Sequence, residues 1–362
     1  MTANAARERS TTTKSKGTFD MKPRWIHRPP GSNWGDFGAD DQKGRLNWLT
    51  PQKTLEGVRE VREGRVFSLS LPLDVPRGGG LNARRRPPAI MPALLHERPY
   101  FGYRADEQVA LATDVVCDDA FCMHSQFSTQ WDALSHVGAL FDADGDGEAE
   151  AVFYNGYRMG EHVRVPEAGA QVGGAHALGI EHMASCGVQG RGVMIDLRHH
   201  FGDARRKVGY ADLMSVMEAD GVVVERGDIV CLHTGFAQLL LAEEATAPAD
   251  RTDVHRACCV LDGDDPQLLE WIDVSGLAAL VADNHAVEAR PQQPRPRAVR
   301  GPLMPLHELC LFKLGIHLGE LWHLTPLADW LRAHRRNRFL LTAPPLHLRG
   351  LVGSPVNPVA TV

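Results

Sequence analysis

Several absences narrow this chain before any motif is considered. No apolar run approaches the length of a bilayer-spanning helix. Residues 1–22 carry basic and hydroxyl side chains but no apolar stretch of the kind a secretory signal needs, so they read as a disordered tail ahead of one domain over 23–362. The seven cysteines, at 117, 122, 186, 231, 258, 259 and 310, are odd in number and form no CxxC pair, which excludes a zinc knuckle and a thioredoxin motif. Cys117 and Cys122 read as buried small hydrophobes, with metal binding the competing reading, and the set as a whole fits a reducing cytoplasm. Gly78-Gly79-Gly80 has no strand-turn-helix setting and is no phosphate loop. No fixed-period repeat and no shift of composition marks a domain boundary. The net charge of −6 argues against a general nucleic-acid or membrane-surface binder.

What is present suits a globular protein, with 43% hydrophobic and 23% charged residues. Thr50-Pro51 supplies an N-cap and an N1 proline for a helix over PQKTLEGVREVREG. Arg65–Leu71 alternates as a strand, and Pro76–Pro92 is an irregular loop rich in breakers. Within that loop, Arg84-Arg85-Arg86 reads either as solvated surface or as a lid over an anionic substrate or a partner subunit. The middle has α/β texture: Gly192–Leu197, Asp228–Gly235 and Leu277–Ala282 are short apolar strands, and YADLMSVMEADG is a helix closed by Gly221. Strands that end in polar residues commonly deliver side chains to a site at a sheet edge. Arg290–Pro305 is a Pro- and Arg-rich connector, Leu306–Leu318 a helix, and Phe339–Pro345 a late strand.

The stretch from Ser128 to His136, STQWDALSH, is the chemical centre of the sequence. If it is extended, Ser128, Gln130, Asp132 and, by continuation, His136 share one face. Gln130 and Asp132 would then present oxygens about 7 Å apart, near enough to converge on one cation. The same alternation separates Ser135 from His136, so they form no nucleophile-base pair. His307 and Glu320 lie far downstream. His307 reads as a ligand or as a helix-end histidine bonded to backbone. Glu320 sits in the apolar run LGIHLGELWHL, where an unpaired charge is costly. Hard oxygen and nitrogen donors of this kind suit a divalent cation that acidifies a water. Asp142-Ala-Asp144-Gly-Asp146-Gly147 looks like the opening of a calcium loop, but Phe153 stands where the glutamate belongs, so it reads as an acidic hairpin turn.

Taken in order, NWGDFGADDQKGRLNWLTP, STQWDALSHVG with FYNGY, GRGVMIDL, GDIVCLHTGF, VADNHAVE, LHELCLFKLGIHLGELWHL and FLLTAPPLHLRGLVGSPVNPVA make the chain similar to the cyclase/kynurenine formamidase-like metal-dependent hydrolases, which include isatin hydrolases. The resemblance implies a swivelling β/β/α fold in one α/β domain, a homodimer or homotetramer, and Mn or Zn activating a water against an amide, lactam or ester carbonyl. It also exposes a departure. Of the family's HxGTHxDxPxH signature, the first two histidines fall on Gln126 and Gln130, while Asp132 and His136 survive. Such a change favours an oxygen-tolerant ion. The later ligands fall on His307 and Glu320.

The expected site therefore has Asp132, His307 and Glu320 on the cation, Gln130 as a weaker ligand, and His136 as ligand or acid/base. Trp131, Trp34, Gln126 and His323 are the candidates for contacting a small-molecule substrate, with simple core packing the competing reading of Trp131. The reaction expected is hydrolysis of a C–N or lactone bond. A cyclisation or dehydration and a metal-free ligand-binding protein are the alternatives.

Overall fold

The computed structural model describes residues 23–76, 81–244, 254–289 and 301–362. The expected tail 1–22, the triple glycine 78–80 and most of the 290–305 connector lie outside the described residues.

Nine strands form the central sheet: β1 (Val66–Ser68), β2 (Gln130–Asp132), β3 (Gln189–Asp196), β4 (Ile229–His233), β5 (Ala279–Ala282), β6 (His317–Glu320), β7 (Arg338–Thr342), β8 (Gly353–Pro355) and β9 (Val359–Thr361). Their order across the sheet is β1-β9-β7-β3-β4-β5-β6-β2-β8. The middle is parallel from β3 to β6, and both flanks are antiparallel. This is the mixed α/β architecture the sequence suggested. Parallel strands need crossover connections, and helices Tyr210–Ala219 and Pro266–Ser275 sit in two of them. The Thr50 hydroxyl caps the helix Pro51–Arg59 by accepting from the Lys53 backbone, as its sequence required.

Side chains alternate across each strand, so the sheet feeds two cores. Val193, Ile195, Val230, Leu232, Leu280 and Leu318 point to one, under Tyr210–Ala219 and Pro266–Ser275. Met194, Ile229, Cys231, Val281, Trp131 and Phe339 point to the other, under the helix Thr325–Ala333. Gln130 and Asp132 flank Trp131 and therefore face the first core's side.

Three local expectations change. The segment Leu306–Leu318 is not one helix. An α-turn at Pro305–His307 runs into a wider π-turn over Glu308–Lys313, and β6 begins at His317. Gly315 explains the break: it adopts φ +60 with its Cα against the Gly44 backbone, a contact no Cβ would survive. The supposed irregular loop contains a strand, Ala89–Pro92, paired with Asp119–Cys122. The extended run at 128–136 stops at Asp132, and His136 arrives through a turn, its N–H bonded to the Ala133 carbonyl at 2.9 Å. The acidic turn is a hairpin as expected, joining Ala139–Phe141 to Glu150–Val152. Among the described residues no helix is long and apolar enough to cross a membrane.

Candidate metal centre

Strand β2 lies between β6 and β8, with Gln130 opposite Glu320 and Asp132 opposite Leu318. That register places two carboxylates and an amide from distant parts of the chain on one patch of sheet. The short α-turn Pro305–His307 brings in the imidazole. Ligand atoms of Asp132, His307 and Glu320 lie within 4.8 Å of one another, and all three residues are buried. Gln130 Nε2 donates to Glu320 Oε2 at 3.0 Å and to Asp132 Oδ1 at 3.5 Å. Gln126, the other glutamine of the altered signature, also donates its amide N–H to Asp132.

Burial with few hydrogen-bond partners makes the patch electrostatically unusual. Gln130 Oε1, Asp132 Oδ2 and Glu320 Oε1 are buried and accept no hydrogen bond among the described residues. Glu320 Oε1 is 3.4 Å from His307 Nε2, an ion-pair distance without hydrogen-bond geometry. Three orphaned oxygens in one buried cluster would be costly if nothing compensated them. Burial and the neighbouring Asp132 push the Glu320 carboxyl up, opposed by His307. Burial alone would lower His307, but the carboxylates of Glu288 and Glu320 outweigh it and hold the imidazole at about 10. Two carboxylates, an imidazole and an orphaned amide oxygen form a donor set that fits a divalent cation.

Glu288 is the residue sequence reasoning missed. It is buried, and its carboxylate accepts from the His307 ring Nδ1 at 2.7 Å, the His307 backbone at 2.8 Å and the Leu306 backbone at 3.0 Å. The His307 ring thus turns Nε2 toward Asp132 and Glu320. Only the short apolar pair Ala286-Val287 precedes it in VADNHAVE, so little in the sequence marks its carboxylate as buried.

His136 lies at the edge of the cluster and is not one of the three converging ligands. Burial lowers its pKa, aided by His307 and Arg85 and opposed by Asp132. Of the three arginines only Arg85 turns inward. Its guanidinium donates to the Gln126 carbonyl at 2.6 Å, while Arg84 and Arg86 stay exposed.

Three expected substrate contacts have partners within the protein. Trp131 and Trp34 are completely buried, one donating to the Ala343 carbonyl and packed edge-on to Trp322, the other donating to the Phe312 carbonyl and packed edge-on to that ring. Neither offers a free ring face for a substrate. Strand parity explains Trp131, because a residue between two site residues must point to the opposite core. His323 is engaged by Gln238 at 3.1 Å and by the Leu69 carbonyl.

A family model for cyclases matches residues 67–289. The chain belongs to the cyclase family. The crystal structure of a novel cyclase is 30% identical, with a TM-score of 0.72 over 93% of this chain and 100% of that one. An isatin hydrolase bound to the product analogue thioisatinate is 15% identical, with a TM-score of 0.51 over 86% of this chain and 99% of that one. Isatin hydrolase A from Ralstonia solanacearum is 15% identical, with a TM-score of 0.50 over 82% and 91%. At that distance the two hydrolases testify to the fold. A search of curated proteins returns no match to the sequence.

Proposed function

We propose that this chain is a metal-dependent hydrolase that opens a C–N bond, or the C–O bond of a lactone, in a small cyclic or aromatic substrate. The observation that carries the reading is the convergence of three buried, orphaned oxygens with the Nε2 of an imidazole locked in place by Glu288. Asp132, His307 and Glu320 would hold the cation, Mn or Zn, with Gln130 as the weaker fourth donor. Bound there, the cation supplies Lewis acidity toward a carbonyl oxygen and lowers the pKa of a water toward neutrality.

The chain's own residues supply the rest. His136, its pKa lowered chiefly by burial, is a neutral imidazole at pH 7 and can accept a proton. It would take one from the attacking water and return it to the leaving nitrogen or oxygen, so the ring opens to an acid plus an amine or alcohol. Gln126 fixes the Asp132 carboxylate by donating to it. Arg85 adds positive charge beside Glu320 and His136, favouring substrates that carry or develop negative charge.

A cyclisation run in the closing direction is the second reading, favoured by the 30% identical cyclase. Metal content by plasma mass spectrometry, wild type beside Asp132→Ala, tests the site. About one cation per chain in the wild type and none in the variant is expected. Metal-free wild type after reconstitution would leave a ligand-binding protein instead. Turnover of cyclic amides, formanilides and lactones in ¹⁸O-water then separates the reactions, since solvent oxygen in the product means hydrolysis.

A further inference from the structure

A second polar pocket lies at the carboxyl end of β3, three strands along the sheet from β6. It is a cavity of about 280 Å³, floored by the buried Met194, Val222, Ala328 and Leu331 and rimmed by Arg335 and Arg336. Topology puts it there. The chain leaves β3 for the helix Tyr210–Ala219 on one face of the sheet. Strand β7, antiparallel beside β3, is entered from the helix Thr325–Ala333 on the other face. Connections that part to opposite faces leave a crevice at the strand's carboxyl end, and α/β sheets bind ligands in such crevices. An apolar floor under a few convergent charged groups is the usual make-up of a small-molecule site, and this one is near the small end, roughly 300 Å³.

Two carboxylates also face the cavity, and both are already matched. Asp196 accepts from the Arg332 guanidinium at 2.7 Å and from the His199 backbone at 3.2 Å, and it meets the His233 ring at 2.7 Å. Both oxygens of Asp220 meet His200, at 3.1 and 3.0 Å. The two rim arginines are not matched in this way. Arg336 donates to the carbonyls of Glu60 and Arg338, its carboxylate neighbour Glu60 stands off at 3.8 Å, and burial with Arg62 nearby lowers its pKa. The Arg335 side chain makes no hydrogen bond or ion pair among the described residues. The cavity therefore presents positive charge that the described residues leave without a counter-charge.

The backbone under Arg335 makes the same point independently. The Arg335 N–H donates to the Arg332 carbonyl at 3.1 Å and the Arg336 N–H to the Leu331 carbonyl at 2.9 Å, closing the helix Thr325–Ala333. That double closure sets residue 335 in the left-handed region, at φ +54. Glycine is the usual occupant of this position, because a Cβ there crowds the following carbonyl. The turn itself would close more easily on glycine. What arginine adds is a guanidinium at the rim of the cavity.

We infer that this pocket binds a small organic anion, with a phosphate or carboxylate group on Arg335 and Arg336 and an apolar body on Val222 and Leu331. A guanidinium recognises either group through paired N–H donors. The site stands apart from the metal centre, and neither reading depends on the other. Calorimetric titration with phenyl phosphate and with benzoate, at physiological salt, tests it on full-length wild type, Arg335→Gly, Ala219→Trp and Asp132→Ala. At least one probe should bind the wild type saturably, and the tighter of the two names the anionic group. Arg335→Gly should weaken that binding by about tenfold or more, while its midpoint of urea unfolding stays equal or rises. Ala219→Trp fills the cavity from an exposed position without altering charge, and should weaken binding as well. Asp132→Ala should bind as wild type does. Failure of both probes to saturate the wild type at millimolar concentration overturns the inference. Binding unchanged in Arg335→Gly or in Ala219→Trp, or lost in Asp132→Ala, overturns it too, since the anion would then sit elsewhere.

Discussion

The Glu288 carboxylate grips His307 twice, at the ring Nδ1 and at the backbone nitrogen, and so decides which imidazole nitrogen faces Asp132 and Glu320. An imidazole held this way has its direction set and its Nδ1 proton engaged before anything meets Nε2. Such partners are commonly worth 10–100-fold in metal affinity.

Glu288→Gln should therefore weaken Mn or Zn binding by about 10–100-fold while every direct donor remains. Competition against a chromophoric chelator measures it. Unchanged affinity would mean that His307 is oriented by packing alone.

Asp132→Asn should separate binding from folding. Without a cation, Asp132 pushes the buried Glu320 carboxyl up, so removing its charge should leave the apoprotein at least as stable as wild type. Added Mn should raise the melting temperature of wild type only, by the equivalent of about 2.7 kcal/mol at one hundred times Kd. Equal stabilisation of both proteins would place the cation elsewhere.

Gln130→His restores an imidazole beside Glu320. Zinc affinity should rise against manganese by roughly tenfold, since about 1.4 kcal/mol suffices. Titration of wild type and variant with each metal gives the ratio. A ratio unchanged by the substitution would remove Gln130 from the donor set.

His317 sets an acid limit on stability. Burial, with His182 nearby, lowers its pKa to about 3, whereas the unfolded imidazole titrates near 6.5. The folded state thus binds fewer protons across that window. Its contribution is complete above pH 6.5 and is lost as the pH falls toward 3, at up to about 1.4 kcal/mol per pH unit. Urea unfolding of the metal-free protein at pH 7 and pH 5 should show a smaller loss in His317→Leu than in wild type.

Arg191, on the central strand β3, tests a buried ion pair away from the metal centre. It grips the fully buried Asp228 through two bonds of 2.8 and 3.0 Å, with Lys53 at 3.2 Å. Arg191→Met leaves Asp228 short of its main partner and should cost about 3 kcal/mol in denaturant unfolding. A loss below about 1 kcal/mol would show that Lys53 suffices.

Local rules made much of this legible. Strand alternation placed Gln130 and Asp132 on one face, and the cost of a lone buried charge singled out Glu320. The same alternation consigned Trp131 to the opposite core, so its aromatic character was a poor guide to substrate contact. Glu288 was harder to see because it acts on a turn nineteen residues on, through backbone N–H groups that carry no sequence signature. The helix expected over Leu306–Leu318 failed at Gly315, whose approach to Gly44 is a tertiary contact with no local trace. The paired strands Ala89–Pro92 and Asp119–Cys122 escaped notice because they are exposed and bury nothing, which removes the apolar alternation by which strands are recognised.

The placement of β2 between β6 and β8 has a consequence for timing. Asp132 leaves the ribosome early, but the strands that flank it begin at His317 and Gly353. Contacts of such long sequence separation require closure of long loops before they form, and they slow folding. A nascent chain of three hundred residues would hold Asp132 with neither His307 nor Glu320 beside it. On the proposed reading, metal acquisition waits for the completed sheet, and a scarcity of the ion during synthesis would yield folded, loadable apoprotein rather than a misfolded chain.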